Sequence, residues 1–297
     1  MTCNADKVDL HVHSNKSSDG DFSPFHIIKL AKEKKLRAVS ISDHDTVAAY
    51  PEALEIGREA GVEVIPSIEL TTIFNGREFH LLLPFVNWKK RILKEIIAEV
   101  LRRRFEEAKE RVNKLQELGF EISWKEVLKQ AEPHPPLGVT IAQILLAKAE
   151  EKKNPLFRKY LVEENRLFAP YSFYKDYFME GKPAFVPRRN INLLDVLQTA
   201  PRTGAVPVLA HPGSYFQRTE KKDLEIFKEN GLIGLEVYTS YHDTSQTNVY
   251  REWAEELDLI PTAGSDFHGS IKPHIPFGLL EEGQYWMVEE LRKRRKE

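Results

Sequence analysis

The 297-residue chain contains one cysteine, Cys3, and three methionines. A lone cysteine forms no internal disulfide and supplies no zinc site of clustered thiolates. Lys and Arg number 43 against 45 Asp and Glu, a net charge of −2. That balance excludes the global positive field that drives bulk binding to nucleic acid, while leaving room for a local basic patch. No uncharged stretch reaches the ~18 residues of a membrane span. The start, MTCNADKVDL, has no apolar signal-peptide core. Neither an internal repeat nor a low-complexity segment is present. The expected setting is a reducing, cytoplasmic one without membrane contact. With 41% hydrophobic residues and 15 glycines, the apolar share is that of an ordinary globular protein, so a disordered chain is ruled out.

What is present falls into three stretches. Residues 7–13 alternate, with Val8, Leu10 and Val12 on one face and Asp9, His11 and His13 on the other. Ser23-Pro24 reads as an N-cap followed by proline in the first helical turn, predicting a helix to about Lys35. Residues 37–43, 62–70 and 79–86 read as strands, with a helix from Thr46 to Ala60 and a stop at Gly61. The alternation resumes with strands at 206–211, 233–238 and 259–266. The seven candidate strands alternate with helices and so imply βαβ units with parallel pairing, in a barrel or an open sheet. Residues 88–186 differ. Ile97, Leu101, Phe105, Ala108, Val112 and Leu115 recur at spacings of three and four, the mark of an amphipathic helix. We read 1–87 and 187–297 as two parts of one α/β domain and 88–186 as a helical insertion.

Chemistry concentrates at predicted strand ends. His11 and His13 share one face of the first strand, and Asp19 follows in a polar loop. Asp43-His44-Asp45 closes the second strand, Glu69 the third, and His211 the strand 206–211. His80 opens the fourth strand's apolar run, and Asp266 and His268 end the last. In parallel α/β folds these ends converge on one face, where active sites sit. Imidazoles and carboxylates gathered there need cations to be stable, and the mixture suits Zn²⁺, Mn²⁺ or Fe²⁺. Each piece alone has a bland reading: HxH as a surface pair, SDHD as a helix cap. All of them at strand ends of one chain do not.

The motifs His-Val-His, Ser-Asp-Gly, Ser-Asp-His-Asp-Thr (42–46), Glu69 with Glu-Phe-His-Leu, Ala-His-Pro (210–212) and Gly-Ser-Asp-Phe-His-Gly (264–269) resemble those of the PHP (polymerase and histidinol phosphatase) superfamily. The resemblance covers about 1–86 and 205–270. It implies a distorted (βα)7 barrel and three divalent metal ions. His11, His13, Glu69 and Asp266 would hold the first. Glu69, bridging, would hold the second with His80 and His211, and Asp19, His44 and His268 the third. Glu69 and Asp266 would be central to catalysis, with a metal-activated water attacking phosphorus. Asp43, Asp45 and His242 are candidate general acids, beside a metal-bound water. Within the superfamily the chain is most similar to nucleoside 3′,5′-bisphosphate phosphatases and 5′-3′ exoribonucleases. One departure stands out: where that subgroup carries Arg-Pro-His, this chain reads Leu137-Gly138-Val139-Thr140, with His134 upstream.

The substrate expected is a small phosphomonoester, a nucleotide, or alternatively a short RNA trimmed from its 5′ end. Arg188, Arg189 and His242 are the candidate substrate contacts, since guanidinium matches phosphate bidentately. Phe157, Tyr160, Phe168, Tyr171, Phe173, Tyr174, Tyr177 and Phe178 offer either stacking platforms or, more in keeping with a small helical domain, a core. Arg102-Arg103-Arg104 and the tail Arg292–Lys296 read as solvated faces before they read as grips on nucleic acid. A C–N hydrolase of the amidohydrolase type is the remaining class, disfavoured because no lysine sits beside the ligands at a predicted strand end.

Overall fold

The computed structural model describes residues 6–152, 157–162, 166, 168–214, 217–278 and 281–295; Cys3 and Lys296 lie outside them. The chain is a mixed α/β protein that divides into two compact units, one of 1–98 with 191–297, the other of 99–190.

The first unit carries the strands. β1 (Val8–Val12), β2 (Ala38–Ile41) and β3 (Glu63–Val64) form a parallel three-stranded sheet in that order. A second sheet of six has the order β6–β4–β5–β7–β8–β9, with β4 at Glu69–Phe74, β5 at Arg77–Leu82 and β6 at Ile191–Asn192. Its remaining strands are β7 (Val208–Leu209), β8 (Gly234–Thr239) and β9 (Ile260–Gly264). Two isolated parallel bridges, Val12↔Phe267 and His44↔Glu69, pair a strand residue with a residue outside the strands. Every residue of β1 is buried, so the face with Asp9 and His11 is as dry as the face with Val8 and Leu10.

Two expectations change. The run 62–70 is not one strand: Pro66 lies between β3 and β4, and Glu69 begins β4 instead of closing its predecessor. β4 and β5 are antiparallel, joined by Asn75 and Gly76 at φ 48° and 75°. Two successive left-handed residues make the tight turn that suits a right-twisted hairpin. Nine strands are thus present among the described residues, where seven were expected.

Helix α1 (Pro24–Glu33) starts as expected, with Ser23 Oγ accepting from the His26 amide. α2 covers only Glu52–Ala60, and Gly61 ends it at φ 73°. Val12, Val39 and Ile41 pack with Ile27, Ile28 and Ala53 from these helices. A second apolar cluster joins Leu10, Leu82, Val208 and Ile260 to Met287 and Leu291 of the C-terminal helix.

The second unit is helical. α3 (Arg91–Glu117) enters it, followed by α4 (Trp124–Ala131), α5 (Gly138–Glu151), α6 (Arg158–Leu161) and α7 (Ala169–Tyr177). Val112 and Leu115 pack there with Phe157, Tyr160, Phe173 and Phe178, so most of the aromatic residues are core. Phe168 and Tyr171 are exposed. The Arg102 and Arg103 guanidiniums pair with Glu99, and Arg102 also with Glu106, which leaves a charge-balanced helix face. At the departure from Arg-Pro-His, a side chain at Gly138 would run into the ring of Tyr174, 2.7 Å from where its Cβ would stand.

Candidate metal centre

β1 delivers His11 and, one residue beyond its end, His13 to the same dry face. The hairpin sets the next pair. Thr71 lies opposite His80, and Glu69 is two residues from Thr71, so Glu69 and His80 share a face by the period of the pleat. Their side chains meet, His80 Nδ1 lying 2.9 Å from Glu69 Oε1. His211 follows β7, and Asp266 and His268 follow β9. His211 and Asp266 hold left-handed backbone at φ 25° and 57°. Such strain outside glycine persists only where the surroundings enforce it, and it concentrates at functional sites.

His11, His13, Asp19, His44, Glu69, His80, His211, Asp266 and His268 converge. The ligand atoms of His13, Asp19, His44 and His268 lie within 4.8 Å of one another. So do those of His11, Glu69, His211 and Asp266, and those of His44, Glu69 and His80. His11 Nε2 and His13 Nε2 are 3.1 Å apart. Each of them lies 3.0 to 3.2 Å from Glu69 Oε2 and from Asp266 Oδ1. A tetrahedral ion with bonds near 2.0–2.1 Å requires ligand atoms about 3.3 Å apart. Glu69 Oε1 faces the other way, to His80 and to His211 Nε2 at 3.1 Å. Asp19 Oδ2 sits 3.4 Å from His44 Nε2 and 3.3 Å from His268 Nε2.

The donor set fits divalent metal ions. Glu69 Oε2, Asp19 Oδ1 and His268 Nε2 are buried without a hydrogen-bond partner, although charged groups surround them. Lone pairs that converge without hydrogen bonds are oriented for a cation at their common focus. In the protein alone, protons take that role. Burial opposes the charge on His13, but its contacts with Asp266 and Glu69 raise it to about 9. His11 is likewise raised against burial by Glu69, Glu236 and Asp266. Glu69 and Asp266 are held well below the carboxylate range despite burial, Glu69 by His44 and His11 first, Asp266 by His11 and His268. Burial pushes His44 down to about 3, against the pull of Glu69 and Asp19.

Four partners of the ligands were given no role by the motifs. Glu236, buried in β8, accepts from His11 Nδ1 at 3.0 Å and from the His211 amide at 2.7 Å. Its signal was a carboxylate inside the apolar run Ile233–Tyr238. Asp9 accepts from the amide and hydroxyl of Ser265, fixing the residue before Asp266. Tyr241 and Lys272 donate to Asp266 Oδ2 at 2.7 and 2.9 Å.

The remaining expected residues have other engagements. Asp43 accepts from the amide and hydroxyl of Ser14, both at 2.6 Å. Asp45 accepts from the Thr71 amide. His242 Nδ1 lies 2.8 Å from the Val237 carbonyl and its Nε2 accepts from the Gly213 amide, so backbone groups occupy both ring nitrogens. This neutral tautomer, with burial lowering its affinity for a proton, shapes a loop and presents no free nitrogen. Arg188 and Arg189 lie exposed in the helical unit, where Arg189 pairs with Glu110 at 3.1 Å.

Comparison with known proteins agrees with this geometry. The PHP domain model matches residues 9–176. A 5′-3′ exoribonuclease of Haemophilus influenzae is 28% identical over 282 residues, 94% of this chain and 93% of that protein. A 3′,5′-nucleoside bisphosphate phosphatase of Chromobacterium violaceum is 22% identical over 263 residues, 88% and 87% of the two chains. A Bifidobacterium adolescentis structure described as a metal-dependent phosphoesterase superposes with a TM-score of 0.77, 25% identity, and 99% and 98% coverage. The chain belongs to the PHP domain family and is a metal-dependent phosphoesterase, a hydrolase of phosphoester bonds.

Proposed function

We propose that this enzyme hydrolyses the phosphomonoester of a nucleotide at a trinuclear centre held by the nine converging residues, with Glu69 bridging. The observation that carries the reading is Glu69 itself: one oxygen faces His11, His13 and Asp266, the other His80 and His211. Three ions of Mn²⁺, Zn²⁺ or Fe²⁺ suit this donor set. When bound, they supply polarisation of the phosphoryl oxygen and a water of lowered pKa. The chain's own groups keep that constellation rigid. Glu236 fixes the His11 ring, the Asp266 carbonyl fixes His268 Nδ1 at 2.7 Å, and Tyr241 with Lys272 steadies the Asp266 carboxylate. We read the two sheets as a single distorted barrel, because the bridges Val12↔Phe267 and His44↔Glu69 join one sheet to the other where the ligands emerge.

Trimming of short RNA from its 5′ end is the second reading, favoured by a relative of that name matched along nearly the whole chain. Both readings are tested on Mn²⁺-loaded protein with adenosine 3′,5′-bisphosphate, AMP, histidinol phosphate and a 5′-phosphorylated oligoribonucleotide. Phosphate release from the nucleotides, abolished by chelation and by Asp266→Ala, is the expected result. Stepwise mononucleotide release from the oligoribonucleotide would select the second reading. Release that persists in chelator or in the variant would overturn the metal centre.

A further inference from the structure

The two oxygens of Asp266 face different surroundings. Oδ1 lies 3.2 Å from His11 Nε2 and 3.0 Å from His13 Nε2, at the focus of the metal ligands. Oδ2 accepts from the Tyr241 hydroxyl at 2.7 Å and from Lys272 Nζ at 2.9 Å. Lys272 Nζ also donates to the Tyr241 hydroxyl at 2.8 Å. Among the described residues, Lys272 is the one lysine or arginine that pairs with a carboxylate of the nine converging residues. An ammonium has three N–H groups, and two are committed here. The third has no acceptor among the described residues, and the side chain is 31% exposed, so that donor is open to what enters the centre.

The turn that carries Lys272 is tied down. A single 3₁₀ turn, Gly269–Ile271, follows His268 directly and ends at Lys272. The Ser270 amide donates to the Asp21 carboxylate at 3.1 Å, and the Ile275 amide to the Lys272 carbonyl at 3.0 Å. A lysine aimed by two hydrogen bonds has already lost much of the rotamer freedom that a surface lysine gives up on binding. Asp266 has other donors: Tyr241 serves Oδ2, while His11 and His13 face Oδ1. Beside cations held at the focus a further positive charge is repelled, and an anion arriving there relieves the repulsion. For a phosphoesterase that anion is the phosphoryl group, whose oxygens carry the charge of the transition state. His242, expected to contact substrate, does not fill this role, because backbone groups hold both its ring nitrogens.

We propose that Lys272 is a catalytic residue whose third N–H bonds a non-bridging oxygen of the phosphoryl group under attack, with Asp266 and Tyr241 aiming it. Its contribution is charge neutralisation, with no proton transferred. The inference rests on the phosphomonoesterase reading for the choice of AMP as test substrate. Mn²⁺-loaded wild type, Lys272→Ala and Lys272→Arg are compared, with bound metal counted by mass spectrometry. Lys272→Ala is expected to keep the metal content of the wild type and to lower kcat on AMP about a hundred- to a thousandfold. Lys272→Arg should lose less, and added ethylammonium should restore part of the activity of Lys272→Ala. Activity of Lys272→Ala that returns fully with excess Mn²⁺ would overturn the proposal, because Lys272 would then serve Asp266 alone.

Calorimetric titration of the Mn²⁺-loaded proteins with inorganic phosphate reads the contact independently of turnover. Lys272→Ala should bind phosphate about tenfold more weakly than wild type. Unchanged phosphate binding together with unchanged kcat would defeat the proposal. Weaker phosphate binding in the variant, with no phosphate released from AMP by the wild type, would support the contact and sink the phosphomonoesterase reading alone.

Discussion

A single buried carboxylate positions two of the ligands. Glu236 takes the second nitrogen of His11 with one oxygen and the His211 amide with the other. That contact fixes the tautomer which turns His11 Nε2 toward Glu69 and Asp266, and it raises the basicity of the ring. The sequence allows no side chain nearby: a Cβ at Gly264 would collide with Glu236 Oε1 and the His11 Cβ. Glu236→Gln keeps the shape and loses the charge. It should weaken metal binding about ten- to a hundredfold, read by competition with a chromophoric chelator. Affinity equal to wild type would mean that Glu236 only caps a loop. His11 and His13 were legible because a strand's period of two sends both rings to one side. Glu236 was not, since its partner is 225 positions away and no local spacing connects them.

The hairpin of β4 and β5 is the element on which the bridging carboxylate depends. Its signal, Asn75-Gly76 between alternating apolar residues, was present in the sequence but was overridden by the apolar run through Pro66, which drew the strand boundary too early. The mistake moved Glu69 from the start of one strand to the end of another, yet kept it in the site, because β4 and the His44 segment bridge at that residue. Helix α3 was easier to read, since the spacing from Ile97 to Leu115 matches one long helix. The aromatic residues of 157–178 could not be sorted by sequence, because a stacking platform and a core have the same composition. Both turn residues hold positive φ. Replacing Asn75 and Gly76 together with alanine should therefore cost about 1–2 kcal/mol of stability in urea, with an unchanged m-value. Metal affinity should fall as well, because Thr71↔His80 register sets the contact between Glu69 and His80. Loss of stability with intact metal affinity would show that β5 finds its register without the turn.

At the scale of the molecule, metal and proton act on one unit and spare the other. All nine converging residues lie in 1–98 and 191–297, whereas 99–190 has a separate core around Phe173. No helix among the described residues is long and apolar enough to cross a membrane. Without metal, the first unit relies on protons. His13 is raised from 6.5 to about 9, so its stabilising contribution is complete below pH 6.5 and is lost as pH rises through 9. His11 is raised as well and acts in the same direction. Glu69 and Asp266 are depressed, so their contributions fade only in acid, below the carboxylate range. Between pH 7 and 9.5 the histidines alone decide the sign. Scanning calorimetry of chelator-treated protein should show two transitions, one of which falls in temperature across that interval while the other stays. With Mn²⁺ the histidines are already deprotonated ligands, so the sensitive transition should rise and lose its alkaline slope. A single transition that responds as a whole to metal and pH would show instead that the helical unit takes its stability from the metal centre.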